Sequence, residues 1–355
     1  MAYFRYKNVR IAGLAAGVPK QVVDNNNSSY GSSNYESKDF VETTGVKERR
    51  YGKYPTSDLG FAAASRLMED LRWDKTEVDA LVFVSQNADY IEPATACILQ
   101  DRLGFSKDCM AMDISLGCSG WVYGLNTVMS LLEGGSIKKA ILIAGDAQRH
   151  TYEDNPLFGH AATATALEYQ KGCTATYFNL GTDGSGFDTI IIPDGGSRNQ
   201  FTEQSLASYE YDGKSLNRLQ LRMNGMDVFS FGISVAPKSI KRLAEYYMFD
   251  YLDCDYLVLH QANMKMNQTI QKKLKFEDEK VPSSMYNFGN TSSASIPLTI
   301  VTQLKGKVEN KKTRFLCCGF GVELSWGTVA FVTDNIIISD LVEVDDTIID
   351  TKYVV

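Results

Sequence analysis

The sequence predicts an α/β protein made of two duplicated halves, and two observations carry that expectation. Short apolar runs of strand length alternate with longer stretches whose apolar residues recur at helical spacing, a pattern that yields mostly parallel sheets covered by helix layers. The order of segments also repeats. In the first half a helix leads to Leu81-Val82-Phe83-Val84-Ser85-Gln86; in the second, Met226 to Met248 leads to Tyr256-Leu257-Val258-Leu259-His260-Gln261. Gly117-Cys118 precedes a helix broken at Gly134, then Lys138-Lys139 and the run Ala140 to Gly145. Gly289-Asn290 precedes a helix broken at Gly306, then Lys311-Lys312 and the run Phe315 to Gly319. The step from Gly117 to Gly134 equals that from Gly289 to Gly306. The repeat divides the chain into 1–178, 179–334 and an extension, 335–355.

In order, Val9 to Val18 reads as a strand and Asp24 to Asn34 as a polar loop. Phe40 to Gly45 leads into the basic Lys47 to Arg50. Thr56-Ser57-Asp58 has the composition of a helix cap, with an amphipathic helix following to about Arg72. Val78 to Ser85 is a buried strand, Thr95 to Leu103 a helix, and Met110 to Leu116 another buried strand. Trp121 to Leu132 is helical and Ala140 to Ala144 a strand. Phe158 to Leu167 is a strand or close-packed segment, Gly181 to Gly186 a turn, and Asn199 to Leu216 a polar excursion. Met226 to Met248 is a long helix, and Tyr256 to Leu259 a buried strand ending on His260. The β-branched runs of the extension predict one or two short ordered strands, packed on their own subunit or across a dimer and distant from Cys118.

Composition excludes several classes of function. At 355 residues the chain can bury a large core, and a net charge of -7 argues against a general nucleic-acid binder. Seven cysteines show no C-x-x-C pair, and with only His150, His160 and His260 no metal site suggests itself. No apolar run reaches the roughly 18 residues of a membrane span, and the N-terminus lacks a signal-like apolar region. These features predict a protein of the reducing cytoplasm.

Cys118 stands where a strand hands over to a helix N-terminus, among small residues. The unpaired N–H groups and helix dipole there favour a thiolate, and the same N–H groups can hold the oxyanion formed when it attacks a carbonyl. The repeat puts Cys118 and Asn290 in equivalent turns, and His260 at the end of the strand equivalent to the one ending in Ser85. Two halves related by a pseudo-twofold would bring the three together. A histidine there can donate a hydrogen bond to an enolate oxygen or move a proton, and an asparagine amide donates without titrating.

GCSGW around Cys118, HQAN at His260–Asn263 and GNTSSASIP at Gly289–Pro297 resemble the Cys-His-Asn site of the β-ketoacyl-acyl-carrier-protein synthase III family, within the thiolase superfamily. TTGVKERR (Thr43–Arg50), TSDLGFAAA (Thr56–Ala64), DGSG (Asp183–Gly186) and GFGVELSWG (Gly319–Gly327) extend the resemblance over roughly residues 8 to 332. It implies a five-layered αβαβα thiolase fold and a homodimer. It also implies that Cys118 takes an acyl group from an acyl-CoA or acyl-carrier-protein thioester. His260 and Asn290 would then hold the enolate of a decarboxylating malonyl thioester. The backbone N–H groups of Cys118 and Val322 would form the oxyanion hole, Lys265 would meet the acyl carrier protein, and no metal or redox cofactor would be needed.

The departures are informative. Asp39 and Thr43 replace the Trp and Arg that clamp coenzyme A in the family, Glu92 replaces an apolar acyl-pocket residue, and Glu323 falls in the glycine-rich stretch beside the nucleophile. These imply a specialised synthase with a polar acyl pocket. Lys272, Lys273 and Lys275 add to a basic patch near Lys265. Two other readings fit a Cys-His-Asn order: acyl transfer to an alcohol or amine without decarboxylation, and, remotely, a papain-like cysteine hydrolase.

Overall fold

The computed structural model describes residues 2–26, 37–147 and 155–354. His150 and most of the Asp24 to Asn34 loop fall outside these. The main strands are β1 (Ala2–Tyr6), β2 (Val9–Pro19), β3 (Ala80–Val84), β4 (Met110–Ile114), β5 (Lys139–Asp146) and β6 (Ala161–Tyr169). They continue with β7 (Thr176–Thr182), β8 (Tyr256–Leu259), β9 (Thr313–Gly321), β10 (Ser325–Thr333), β11 (Ile337–Ile338) and β12 (Val342–Val344). The main helices are α1 (Ser37–Thr44), α2 (Thr56–Leu71), α3 (Thr95–Leu103), α4 (Gly120–Glu133), α5 (Gly225–Tyr247), α6 (Met264–Leu274) and α7 (Ser295–Leu304).

Sheet one has the order β2-β6-β5-β3-β4, with β11 and β12 on the outer side of β2; sheet two has the order β1-β7-β10-β9-β8. The repeat is visible strand by strand. β3 is parallel to β5, β5 antiparallel to β6 and β6 antiparallel to β2. In the same way β8 is parallel to β9, β9 antiparallel to β10 and β10 antiparallel to β7. The expectation of mostly parallel sheets is therefore corrected to mixed sheets. β9 and β10 are joined by the short turn Val322–Leu324, which permits only an antiparallel return.

Alternation along each strand sorts residues into layers. Val82 and Val84 of β3 face inward with Trp121 and Leu125 of α4 and Leu298 and Ile300 of α7. Leu81 and Phe83 face outward, against Leu67 of α2 and Leu99 of α3. On sheet two, Leu257 and Leu316 pack against Ile240 of α5 and Ile270 of α6. α4 and α7 thus lie between the sheets and the other helices outside, giving α-β-α-β-α.

Several local expectations change. Sheet membership does not follow the boundaries drawn from the repeat: β1 sits in sheet two, β7 runs across residue 178, and β11 and β12 belong to sheet one. Thr56 is not a cap. It is the first residue of α2, after Pro55, and its hydroxyl accepts from the Ala147 N–H at 3.0 Å. β4 is an edge strand with Met110 exposed and its other residues half-buried, not a buried strand. The polar excursion contains one short hairpin, Tyr209–Tyr211 with Lys214–Leu216, and a second short pair, Ile190–Ile191 with Arg222–Met223, brackets it.

The extension packs on its own subunit. β11 and β12 run parallel to β2 and cover an edge that would otherwise present unpaired backbone groups. Beyond them, Arg102 Nη2 donates to the Ile348 carbonyl at 2.6 Å, and the Tyr90 hydroxyl donates to the Tyr353 carbonyl at 2.6 Å. Tyr90 lies in the loop after β3, whose Gln86 meets the Gly117 turn, so the extension touches that loop. Among the described residues no helix is long and apolar enough to cross a membrane.

Candidate active site

Cys118 lies in the turn from β4 to α4, one residue before the N-cap Ser119. Ser119 does not cap the helix; its Oγ shares a 2.7 Å hydrogen bond with Ser325 Oγ of β10, tying the turn to sheet two. The end of β9 comes so close that a Cβ on Gly321 would stand 2.8 Å from Cys118 Sγ, which only glycine permits. The next residue, Val322, donates its backbone N–H to the thiol. Burial pushes the Cys118 thiol up to about 12; the Val322 bond and the Ser292 side chain oppose this, while the charges of Glu323 and Asp146 add to it. The helix start was expected to favour the thiolate. Burial outweighs it, and the resting form is the thiol.

His260 directly follows β8, and its N–H extends the β8–β9 ladder to the Cys318 carbonyl at 2.9 Å. The ring is buried, with Nδ1 2.8 Å from Ser295 Oγ at the start of α7 and Phe320 edge-on at 5.7 Å. Burial lowers its pKa to about 3, against a raising hydrogen bond to the Ser292 backbone, so the imidazole is neutral at any working pH. Asn290 follows Gly289, whose φ of 65° and ψ of -158° lie in a region open essentially to glycine alone. Its backbone bonds Leu157 and Gly159, and its Oδ1 accepts from the Ser292 N–H at 2.9 Å. That bond leaves the amide nitrogen as the donor Asn290 has to offer.

Ser292 is the common neighbour of all three. Its N–H holds Asn290, its backbone bonds His260, and its side chain bonds both Cys118 and the buried Asp146. It sits at φ 50°, a conformation costly for a residue with a side chain and concentrated at functional sites. Sequence reasoning missed it: it lies inside GNTSSASIP, but one serine among several carries no pattern of its own. Asp146, also missed, closes β5. Its carboxyl is raised by burial and accepts from Ser85 Oγ at 2.8 Å, Gln86 N at 2.9 Å and Asn87 Nδ2 at 3.0 Å. It therefore fixes the loop after β3 beside the nucleophile.

Glu323 is brought to the site. It stands between β9 and β10 at φ 65°, accepts from Gln86 Nε2 at 2.7 Å and is raised to about 7, chiefly by burial. Glu92 is not. It is exposed in the loop before α3 and makes no hydrogen bond or ion pair among the described residues. Lys265 is exposed on the first turn of α6, and α6 packs against α1, where Thr43 is exposed. Of Asp39, also on α1, only the backbone is described. Lys273 is less available than its neighbours, since its Nζ donates to the Ile233 carbonyl at 2.9 Å. His160 is structural, with Nδ1 2.9 Å from the Gly52 carbonyl. Among the described residues no group of three or more His, Cys, Asp or Glu could hold a metal ion.

Sequence profiles described as 3-oxoacyl-[acyl-carrier-protein (ACP)] synthase III and as the C-terminal part of that enzyme match residues 112–184 and 249–333. The first range contains Cys118 and the second both His260 and Asn290. The β-ketoacyl-[acyl-carrier-protein] synthase III of Rhodopirellula baltica is 32% identical over 351 residues, covering 92% of this chain and 98% of that protein. The chain belongs to the 3-oxoacyl-[acyl-carrier-protein] synthase III family. The corresponding protein of Clostridium acetobutylicum is 30% identical over 91% of the chain and 98% of its own length. A crystal structure of the 3-oxoacyl-(acyl-carrier protein) synthase of Burkholderia xenovorans LB400 superposes with a TM-score of 0.88 at 34% identity, over 97% of this chain and 99% of that one. As a synthase III family member the chain is an acyltransferase of the thiolase fold, which sets aside the papain-like reading.

Proposed function

We propose that the protein loads an acyl group from a thioester onto Cys118 and condenses it with a malonyl thioester, with loss of carbon dioxide. The observation that carries this reading is the attachment of Cys118, His260 and Asn290 to one residue, Ser292. Cys118 sulfur attacks the thioester carbonyl, the N–H groups of Cys118 and Val322 hold the oxyanion, and the donor thiol leaves with the proton the cysteine lost. The malonyl carboxylate then departs as carbon dioxide, while His260 and Asn290 donate to the enolate oxygen. The carbanion attacks the acyl-cysteine carbonyl, and the thiolate of Cys118 is expelled. A ring kept neutral by burial suits this step, which needs a donor and no titration. No metal or redox cofactor enters the scheme.

The test is direct. The purified protein is incubated with a panel of acyl thioesters and followed by intact mass, then given a malonyl thioester. The acyl mass should appear and then vanish as a 3-oxoacyl product and carbon dioxide form. Acyl-enzyme that malonyl thioester never discharges would refute condensation.

An acyl carrier protein is the proposed partner of the Lys265 surface. Carrier proteins are acidic and this chain is net acidic, so docking needs a local basic patch. Lys265→Glu should raise KM for carrier-bound substrate several-fold and leave small thioester analogues unaffected. Equal loss on both would instead mean damage to the fold. Thr43 and Glu323, against the family pattern, support a specialised pathway. The seven unpaired cysteines suit a reducing cytoplasm.

A homodimer is proposed through β4. This strand is the free edge of sheet one, and the neighbouring Ile91 is fully exposed at 101%. Met110 N–H donates to Asp79 and Ser85 N–H to Ile114, so the even-numbered residues of β4 bond inward and the Ala111 N–H points off the sheet. Ala111→Pro should therefore spare the internal ladder and give a monomer by sedimentation or light scattering. A dimer of undiminished affinity would place the interface elsewhere.

A further inference from the structure

The turn from β9 to β10, Val322–Leu324, carries the N–H that meets the Cys118 thiol. Its backbone is held in an unfavourable shape. Glu323 stands at φ 65°, ψ 5° and Leu324 at φ 46°, two successive left-handed residues that both carry side chains. Such geometry persists only where surrounding contacts over-determine it, and it gathers at functional sites.

The Glu323 side chain supplies such contacts. Its Oε1 accepts from Gln86 Nε2 at 2.7 Å, and its Oε2 from Ser325 Oγ at 3.4 Å. The Gly117 N–H, one residue before the nucleophile, also bonds the carboxyl. The two turns touch here: a Cβ on Gly117 would stand 2.6 Å from Gln86 Oε1 and 3.3 Å from Val322 Cβ. Gln86 is itself anchored, its backbone N–H donating to the buried Asp146 at 2.9 Å. Glu323 thus bridges a turn of sheet two to both sheet-one loops beside Cys118. Its charge, by contrast, works against the nucleophile, because it raises the Cys118 thiol further. A carboxylate that opposes the thiolate aids the reaction through what it holds in place.

We infer that Glu323 is a positioning residue of the oxyanion hole, holding the Val322 N–H at Cys118 through its bonds to Gly117 and Gln86. This deepens the function proposed above, on which it rests, and concerns the acylation step. The three groups that reach the carboxyl all offer hydrogens: an amide, a backbone N–H and a hydroxyl. A carboxylate accepts from all of them, whereas a protonated carboxyl turns a hydrogen of its own toward one. The hold is therefore tightest with Glu323 ionised. Burial, with the Asp146 charge adding, raises its carboxyl to about 7, so the hold changes within the working pH range. The titratable groups facing it are Cys118, Asp146 at the end of β5 and Tyr123 of α4. On the adjoining turn stands Asp183, whose N–H donates to the Leu324 carbonyl at 3.1 Å and whose carboxylate is taken up by Ser185.

The experiment compares two reactions of Cys118 on the full-length protein, each read as mass added to the Cys118 peptide. Acylation uses the fastest of the acetyl, butyryl and octanoyl thioesters of N-acetylcysteamine and develops an oxyanion. Alkylation by iodoacetamide needs the thiolate and develops none. Glu323→Gln keeps the side chain's length, removes its charge and offers hydrogens where the carboxylate accepted them. Its acylation should fall about tenfold, less than the roughly 10²–10³ of a donor removed outright, while its alkylation stays equal or rises. Dividing the acylation rate by the alkylation rate cancels the thiolate fraction. That ratio should climb through about pH 7 in the wild type and stay flat in Glu323→Gln. Three results overturn the inference: acylation by Glu323→Gln at or above the wild-type rate, equal loss of both reactions, or a wild-type ratio that stays flat between about pH 6 and 8. If the wild type takes no acyl group on Cys118, the proposed function fails and this inference with it. Should Glu323→Gln not fold, Glu323→Asp, charged but one carbon too short for the bridge, decides by the same loss of acylation with alkylation kept.

Discussion

Replacing Cys118 with alanine should abolish acyl-enzyme formation, and replacing Cys97 or Cys317 should leave it unchanged. Nucleophilicity needs access to a substrate carbonyl and a donor for the oxyanion beside it. Cys118 has Val322 N–H at its sulfur. Cys317 is sealed inside β9 with its thiol pushed well above the ordinary range by burial, and Cys97 is exposed on the first turn of α3. Because burial holds the resting Cys118 thiol near 12, the reactive thiolate is scarce at neutral pH. The single-turnover acylation rate should therefore still be climbing with pH at pH 9. Acyl mass persisting on the Cys118→Ala protein at the wild-type rate would sink the assignment. A rate that levels off below pH 8 would show that the substrate, or another group, sets the ionisation.

Removing the donors for the enolate should split the reaction in two. Asn290→Asp keeps an oxygen for the Ser292 N–H but no longer offers an amide N–H. Acylation of Cys118 should survive within several-fold, while malonyl decarboxylation falls by about 10²–10³, the usual cost of a lost oxyanion donor. His260→Ala should do the same, with some loss of acylation because the ring also bonds the Ser292 backbone. A buried histidine with a pKa near 3 is neutral across the accessible range, so decarboxylation should show no histidine inflection between pH 5 and 8. The outcome that would defeat this division of labour is equal loss of both steps in Asn290→Asp, measured separately by intact mass and by carbon dioxide release.

Much of this site was legible because its information is local. A cysteine between a strand and a helix, a histidine ending an apolar run and an asparagine after a glycine each sit at a boundary that periodicity marks, and the repeat relates them. For the same reason β8 and α3 lie where the apolar runs put them. What stayed hidden depends on tertiary partners. Met110 to Ile114 has the composition of a buried strand whether its outer side meets protein or solvent. Thr56 has a cap's side chain, but the Ala147 N–H claims it. Glu92 stands in the loop before α3, exposed to solvent, and sequence position alone does not say what such a loop residue faces. The ionisation of Cys118 was misjudged because helix position is readable from sequence and desolvation is not.

The crossed edges of the two sheets bear on how the chain is made. Ala2 pairs with Leu180, and Ile337 pairs with Gly13, so each half waits for a strand from the other end. A nascent chain that has emerged only to α4 holds β1 with no sheet to join and β2 with neither of its neighbours, β6 on one side and β11 and β12 on the other. Contacts of such sequence separation form slowly, and open edges in the meantime invite association with other chains. The duplicated halves are consequently not separable parts. Each is fastened shut by the other, and the two sheets should be lost together, in a single cooperative step.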